Sequence, residues 1–331
     1  MATNTLIKLT NLISKLPDED LNTLYEMACS FFAGHLSTDN PNCPYCNCSH
    51  IVKNGHKCGK QEYFCKGCGK TFVSTTKTLM ANSHQPREVW EEVIKDTLSG
   101  DAISFTAKRL GISHDCVFNM RHKFLLAVCQ LQTENGECLS DVSELDETFV
   151  LDSYKGRKLP SFVVRKARKH GAKAEKRGIS KEYICICTGV QRKGCAIAKT
   201  VNRAKPSSKE LQEIFGNRIE NGTLILCDGL KSYHSLEKST GCSVKDINTE
   251  TVKDFYNLNT VNNFHSFIKG RYEFYRGVAT KYLNRYNALF SLAYRYTADK
   301  IEWICHQLLD VSCSSRHISC KDVKSSGLLV I

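Results

Sequence analysis

Two Cys-x-x-Cys pairs limit most sharply what this chain can fold into. Within CPYCNCSHIVKNGHKCGKQEYFCKGCGKTF, residues 43–72, Cys43 and Cys46 form one pair, Cys65 and Cys68 the other, and 18 residues lie between them. Such spacing brings four thiolates to a single tetrahedral ion, and the intervening HIVKNG and QEYFC supply the strands of a hairpin. Each pair sits beside a tight turn, Pro44-Tyr45 or Lys66-Gly67. The expectation is a zinc ribbon with Cys43, Cys46, Cys65 and Cys68 as ligands. Cys48, Cys58, His50 and His56 complete no second paired spacing and are read as bystanders. A four-thiolate site has no open coordination position, so the zinc is structural. The ribbon lysines (Lys53, Lys57, Lys60, Lys66 and Lys70) suit phosphate contacts or a solvated surface equally.

The remaining fourteen of the 18 cysteines, the bystanders Cys48 and Cys58 among them, are scattered along the chain, several in apolar segments such as YICICTGV and LILCDG, where a thiol behaves as a small buried hydrophobe. The N-terminus has no secretory pattern and no apolar run is long enough for a membrane span, so a cytosolic protein with reduced thiols is expected. A net charge of +12 favours a polyanionic partner, nucleic acid first.

Five regions follow from the patterning. Residues 1–40 read as a helical lead-in, with Leu21, Leu24, Tyr25, Ala28, Phe31 and Phe32 at helical period after Pro17. Residues 41–80 are the ribbon. Residues 84–130 read as a helix-turn-helix: Pro86 opens one helix that Gly100 closes, and Gly111-Ile112-Ser113 separates two more. On that reading the last helix offers His114, Asn119, Arg121 and Lys123 to a DNA groove; a helical hairpin of the core remains the alternative. Residues 141–310 form an α/β domain, and 311–331 a disordered tail.

In the α/β region, SELDETFVL, KEYICICTGVQ, GCAIAKTV, GTLILCDG and CSVKDI are strand candidates, and SSKELQEIFGNRI is helical. Three early strands, then strands alternating with helices, imply a mixed sheet. The connection over residues 155–181 carries eleven Lys or Arg against one Glu, and Arg168 and Lys169 within it are expected to meet DNA phosphates. Further on, LNTVNNFHSFIKGRYEFYRGVATKYLNRYNALF begins as a helix on which Asn259, Asn262, His265 and Lys269 share one face while Val261, Phe264 and Ile268 line another. Arg271, Arg276, Lys281 and Arg285 are further candidates for flanking phosphates. Phosphodiester cleavage and strand transfer need two divalent cations held by oxygen ligands from separate elements. Asp146, mid-strand and on the face opposite Leu145 and Glu147, and Asp228, at a strand end where an aspartate also forms turns, are suitable donors.

The ordered set CPYC, CKGCGKTF, TAKRLGIS, LDETF, CDGLKSYHSL and VNNFHSFIKG with RGVATKYLNRY resembles the zinc-ribbon insertion-sequence transposases of the ISXO-type group, from about Cys43 to Phe290. The resemblance implies a multidomain α/β chain: zinc ribbon and helix-turn-helix followed by a ribonuclease H-like catalytic domain. It matches Asp146 and Asp228 to the two catalytic aspartates and Asn262 to a third position that is glutamate in many members, all three as ligands of Mg²⁺ or Mn²⁺. Lys269 matches a lysine that touches DNA near the cut. Asparagine brings an amide oxygen but no charge and cannot act as a base, which leaves Asn263 and His265 as alternative third ligands. The implied partner is double-stranded DNA, element ends and target, bound by a homodimer or larger assembly on the nucleoid. Two other functions use the same residues: a catalytically silent DNA-binding regulator, and a metal-dependent nuclease that cuts without joining.

Overall fold

The computed structural model describes residues 42–134, 138–156, 158–159, 161, 163, 182–203, 205–247, 255–310 and 318–325. The helical lead-in and most of the basic connection, Arg168 and Lys169 included, lie outside the described residues. The chain divides into two compact units, one of Met1–Gln85 with Leu309–His317 and one of Pro86–Leu308 with Ile318–Ile331.

In the first unit, β1 (Ile51–Lys57), β2 (Lys60–Cys65) and β3 (Thr71–Val73) form an antiparallel meander. The two cysteine turns are built alike. Cys43 N donates to Cys48 O and Asn47 N to Cys43 O, while Cys65 N donates to Lys70 O and Gly69 N to Cys65 O. Both turns close through a left-handed residue, Asn47 at φ 58° and Gly69 at φ 70°, a conformation that glycine and asparagine adopt at least cost. Among the described residues, the ribbon core beyond the thiols is little more than Tyr63 stacked on Phe72, a small core that a metal held by the four sulfurs would tie together.

The second unit begins with three helices, α1 (Arg87–Ser99), α2 (Ile103–Leu110) and α3 (His114–Glu134). Gly100 and Gly111 end the first two in the left-handed conformation, as the sequence predicts. Arg109 ties α2 to α1 through Glu92 and Asp96. The sheet that follows comprises β4 (Val142–Leu151), β5 (Tyr183–Gln191), β6 (Ala196–Thr200), β7 (Leu224–Cys227) and β8 (Ser243–Asp246). Its order is β6-β5-β4-β7-β8, antiparallel across β4, β5 and β6 and parallel across β4, β7 and β8. All five strands fall on the segments read from the sequence, and this order is the ribonuclease H-like arrangement.

Alternation along β5 sorts the two faces. Cys185 and Cys187 join Leu145, Ile225, Phe215, Tyr233 and Leu236 beneath α4 (Ser208–Phe215) and α5 (Ser235–Thr240). Gly189 is on the same side: a Cβ there would stand 2.7 Å from Leu145 and 2.9 Å from Phe215, so only glycine admits this approach. The buried thiols Cys185, Cys187, Cys227 and Cys242 form no disulfide and fill the core as small apolar groups. The opposite face is covered by α6 (Asn259–Phe274) and α7 (Leu283–Arg295), and α3 packs on α7. α8 (Ala298–Asp310) follows. The tail is not wholly irregular: α9 (Cys320–Ser325) is capped by Ser319 bonding Asp322, and its Val323 is buried with its carbonyl accepting from Arg285. No described helix is long and apolar enough to cross a membrane.

One strand holds α6 at both ends. At the N-terminus, buried Glu144 of β4 accepts from Val261 N at 2.9 Å, satisfying a donor that the helix cannot satisfy itself. The same carboxylate receives Arg192 Nε at 2.7 Å, and Arg192 also donates to Phe255 O and Asn257 O. At the C-terminus, Lys155 Nζ, just past β4, donates to the carbonyls of Tyr275, Arg276 and Gly277. The anion at the N-terminus and the cation at the C-terminus both oppose the helix dipole.

Candidate active site

β7 ends at Cys227, and its pairing with β4 reaches only Glu144↔Leu226. Residues of β4 beyond that point therefore have no strand beside them on the β7 side. Asp146 and Glu147 flank this open edge, and Asp228 is the first residue past the end of β7. Ligand oxygens of Asp146, Glu147 and Asp228 all lie within 4.8 Å of one another. The place is the carboxyl end of parallel strands, where open α/β sheets bind ligands.

The sequence reading brought Asp146 and Asp228 forward and left Glu147 on the far face. Alternation holds in the body of the sheet, but at an edge without a neighbour carboxylates from opposite faces can meet. Asp228 also forms the turn that its position suggested, accepting from Leu230 N at 3.3 Å.

Three carboxylates so close cannot all ionise easily. Burial pushes Asp146 up to about 6; Glu147 N, donating to Oδ1 at 2.8 Å, opposes the rise, and the charge of Asp228 adds to it. Burial likewise pushes Glu147 up to about 7, with the nearby Tyr233 phenol opposing and the charges of Asp228 and Asp146 adding. Glu147 Oε1 and Tyr233 Oη are both buried without a hydrogen-bond partner of ordinary geometry. An oxygen-only donor set with this excess of negative charge fits a hard divalent cation, Mg²⁺ or Mn²⁺. The ribbon cysteines fit zinc on the same kind of test. Cys43 and Cys68 sulfurs stand 3.6 Å apart and Cys46 and Cys65 sulfurs 3.5 Å apart, against about 3.8 Å for a tetrahedron with Zn–S bonds of about 2.3 Å.

The third element is α6. Its His265 is 7% exposed and meets Asp146 on the face of the sheet that α6 covers: Thr188, paired with Asp146 across β4 and β5, donates its hydroxyl to Asp146 O at 2.8 Å and touches His265 Nε2 at 2.7 Å. Nδ1 of the same ring is 3.7 Å from Asp146 Oδ2. Burial, helped by Lys269, pulls His265 down to about 4, so the ring is neutral at ordinary pH. Asn262, one turn earlier, is exposed, as is Lys269 one turn later. Asn263 is spent elsewhere, its Oδ1 accepting from Tyr294. Lys269 and Lys205 both act on Asp146 through space and favour its ionised form. Lys205 escaped the sequence reading because an exposed lysine before the capped helix α4 carries no signal beyond its charge.

The expected DNA-facing residues separate. His114 is exposed and Asn119 half-buried in the first turns of α3. Arg121 and Lys123 are 2% and 5% exposed, because α3 is enclosed from Arg121 to Val128. In this conformation they cannot reach a groove, and the core alternative holds for that half of the helix. Arg271 is half-buried, donating to Leu98 O and lying over Phe267. Arg285 is buried and bonds His122 and Val323 O. Arg276 is exposed, and Lys281, half-buried, lies over Tyr282.

Residues 138–297 match the family described as ISXO2-like transposase domain. A relative described as an uncharacterized protein in transposable element ISH50 of Halobacterium salinarum is 20% identical over 254 residues, which is 76% of this chain and 84% of that protein. Among solved structures, a pre-cleavage Mos1 transpososome aligns at 11% identity and a TM-score of 0.28, covering 69% of this chain and 78% of that one. The Mos1 strand transfer complex aligns at 10% identity and 0.29, covering 92% and 89%. At such scores these alignments carry no weight beside the order of the sheet itself.

Proposed function

We propose, from the match of residues 138–297 to the ISXO2-like transposase domain, that this chain binds the ends of an insertion sequence, frees their 3′ ends and joins them to target DNA. The observation that carries the reading is the convergence of Asp146, Glu147 and Asp228 within 4.8 Å at the open end of a ribonuclease H-like sheet. When bound there, divalent cations supply the acidified water and the charge neutralisation at the leaving oxygen on which phosphodiester transfer depends. Asp146 and Asp228 would hold them, and Asn262 would offer an amide oxygen from the exposed side of α6. Lys269 and Lys205 attract the scissile phosphate.

In the first step water attacks the phosphodiester at the element end, and the bond to the 3′ oxygen breaks to leave a free 3′-hydroxyl. In the second, that hydroxyl attacks a target phosphodiester in line and displaces the target's own 3′ oxygen. His114 and Asn119 on α3, Arg276 and Lys281 beyond α6, and Arg168 and Lys169 of the basic connection contact the DNA. Pairing two ends requires at least two copies, working on the nucleoid of a prokaryotic cytoplasm.

The experiment is strand transfer from labelled ends of the element that flanks the gene into plasmid, comparing wild type with Asp146→Ala in Mg²⁺ and in EDTA. Joined product that needs both metal and Asp146 is expected. Tight end binding with no cutting under any metal would refute it and favour a silent regulator; cutting without joining would favour a nuclease.

A further inference from the structure

His265 is fixed in an arrangement that leaves one nitrogen unused and facing the carboxylates. The Thr188 hydroxyl has a single proton, and Asp146 O, 2.8 Å away, can only accept it. Placing that proton on His265 instead would leave two oxygen lone pairs opposed across 2.8 Å. Thr188 Oγ1 therefore accepts at 2.7 Å from Nε2–H of His265, which fixes the tautomer and leaves Nδ1 with its lone pair bare. Nδ1 makes no hydrogen bond among the described residues, and 3.7 Å to Asp146 Oδ2 is too long for one.

Oδ2 is equally uncommitted, because Asp146 Oδ1 takes the Glu147 N–H. Two lone pairs facing each other across 3.7 Å repel in the absence of a cation. The separation falls between the roughly 3.0 Å of adjacent and the roughly 4.2 Å of opposite ligands each about 2.1 Å from one octahedral metal, so a small turn of the ring lets one cation bridge them. We infer that His265 Nδ1 is a protein ligand of the catalytic metal centre, sharing with Asp146 Oδ2 a cation distinct from one held by Asp228 and Glu147. Asp146 then stands between two donor sets. His265 lies outside the trio whose ligand atoms are all within 4.8 Å of one another, as separate sites require. Thr188 is a positioning residue: it aims the ring as carboxylates and carbonyls aim metal-bound histidines elsewhere.

The inference rests on the proposed metal-dependent reading of the site. An imidazole donor also tilts metal preference from Mg²⁺ toward Mn²⁺, since nitrogen is a softer donor than carboxylate oxygen.

The test uses the full chain with zinc in its ribbon, titrated with Mn²⁺ and read by electron spin-echo spectroscopy. Wild type should show directly coordinated imidazole nitrogen, moved in frequency by isotopic labelling of histidine nitrogen. His265→Gln should lose that coupling and bind Mn²⁺ at least about tenfold more weakly, and Thr188→Val should weaken binding by about tenfold. The ratio of Mn²⁺ to Mg²⁺ affinity should fall in His265→Gln. Mn²⁺ bound at Asp146 with no imidazole coupling in wild type, a result that needs no variant to fold, would overturn the inference and leave the proposed function standing. Equal failure of wild type and Asp146→Ala to bind Mn²⁺ would remove both.

Discussion

Removing Glu144 should loosen α6 without touching the carboxylates of the candidate site. The carboxylate is fully buried and is shared by Arg192 Nε at 2.7 Å and Val261 N at 2.9 Å. Breaking a buried ion pair from one side costs about 3–5 kcal/mol, because the other charge stays buried without its partner. Arg192 is 23% exposed and keeps two carbonyl acceptors, so the lower end applies, about 3 kcal/mol. The stranded helix N–H adds about 1 kcal/mol, as for a lost cap. At about 2–4 °C per kcal/mol in a domain of this size, Glu144→Ala should lower the melting temperature by roughly 10 °C. Glu144→Gln keeps one acceptor oxygen and should lose about half as much. Thermal melts of Glu144→Ala, Arg192→Ala and the double variant measure the coupling, expected to exceed about 1 kcal/mol. A shift under about 2 °C, or strict additivity of the two variants, would refute the reasoning.

Two further outcomes follow from the site and the ribbon. Asp146 and Glu147 are raised from 3.8 and 4.5 to about 6 and about 7, so between about pH 4 and 7 the folded metal-free protein binds more protons than the unfolded chain. Its stability should therefore fall as pH rises through that window, less so in Glu147→Gln, and Mn²⁺ should restore it while releasing protons. Calorimetry in buffers of different ionisation heat near pH 6 checks the release; none at that pH would contradict the raised values. Each chain should hold one zinc in its cysteine cluster, and Cys65→Ser should abolish that and unfold β1–β3, as read by metal content and circular dichroism.

How legible this was in the sequence depends on the range of the signal. The ribbon, the Gly100 and Gly111 helix ends and all five strands are local patterns, and local patterns sufficed. Asp146 and Asp228 were legible because an acid interrupting or ending an apolar run is conspicuous. Glu147 was lost because alternation assumes a neighbour on both edges, and β7 stops short. Arg121, Lys123 and Arg285 were read as surface because charged residues usually are. The contrary signal was the unbroken FLLAV run of α3, since a helix apolar all round is a buried one. Ser319 and Asp322 carried the cap of α9 in plain view, but no apolar period followed to mark a helix. Glu144 and Arg192 meet only through strand pairing, which nothing in either residue's neighbourhood announces.

The double attachment of α6 to β4 makes the distance along the helix a fixed quantity. Inserting or deleting one residue between Val261 and Gly277 would turn everything beyond it by about 100°, and neither Glu144 nor Lys155 could follow. His265 would swing away from Asp146, or the C-terminal carbonyls from the lysine. Substitutions in that segment should therefore be easier to accommodate than any change in its length.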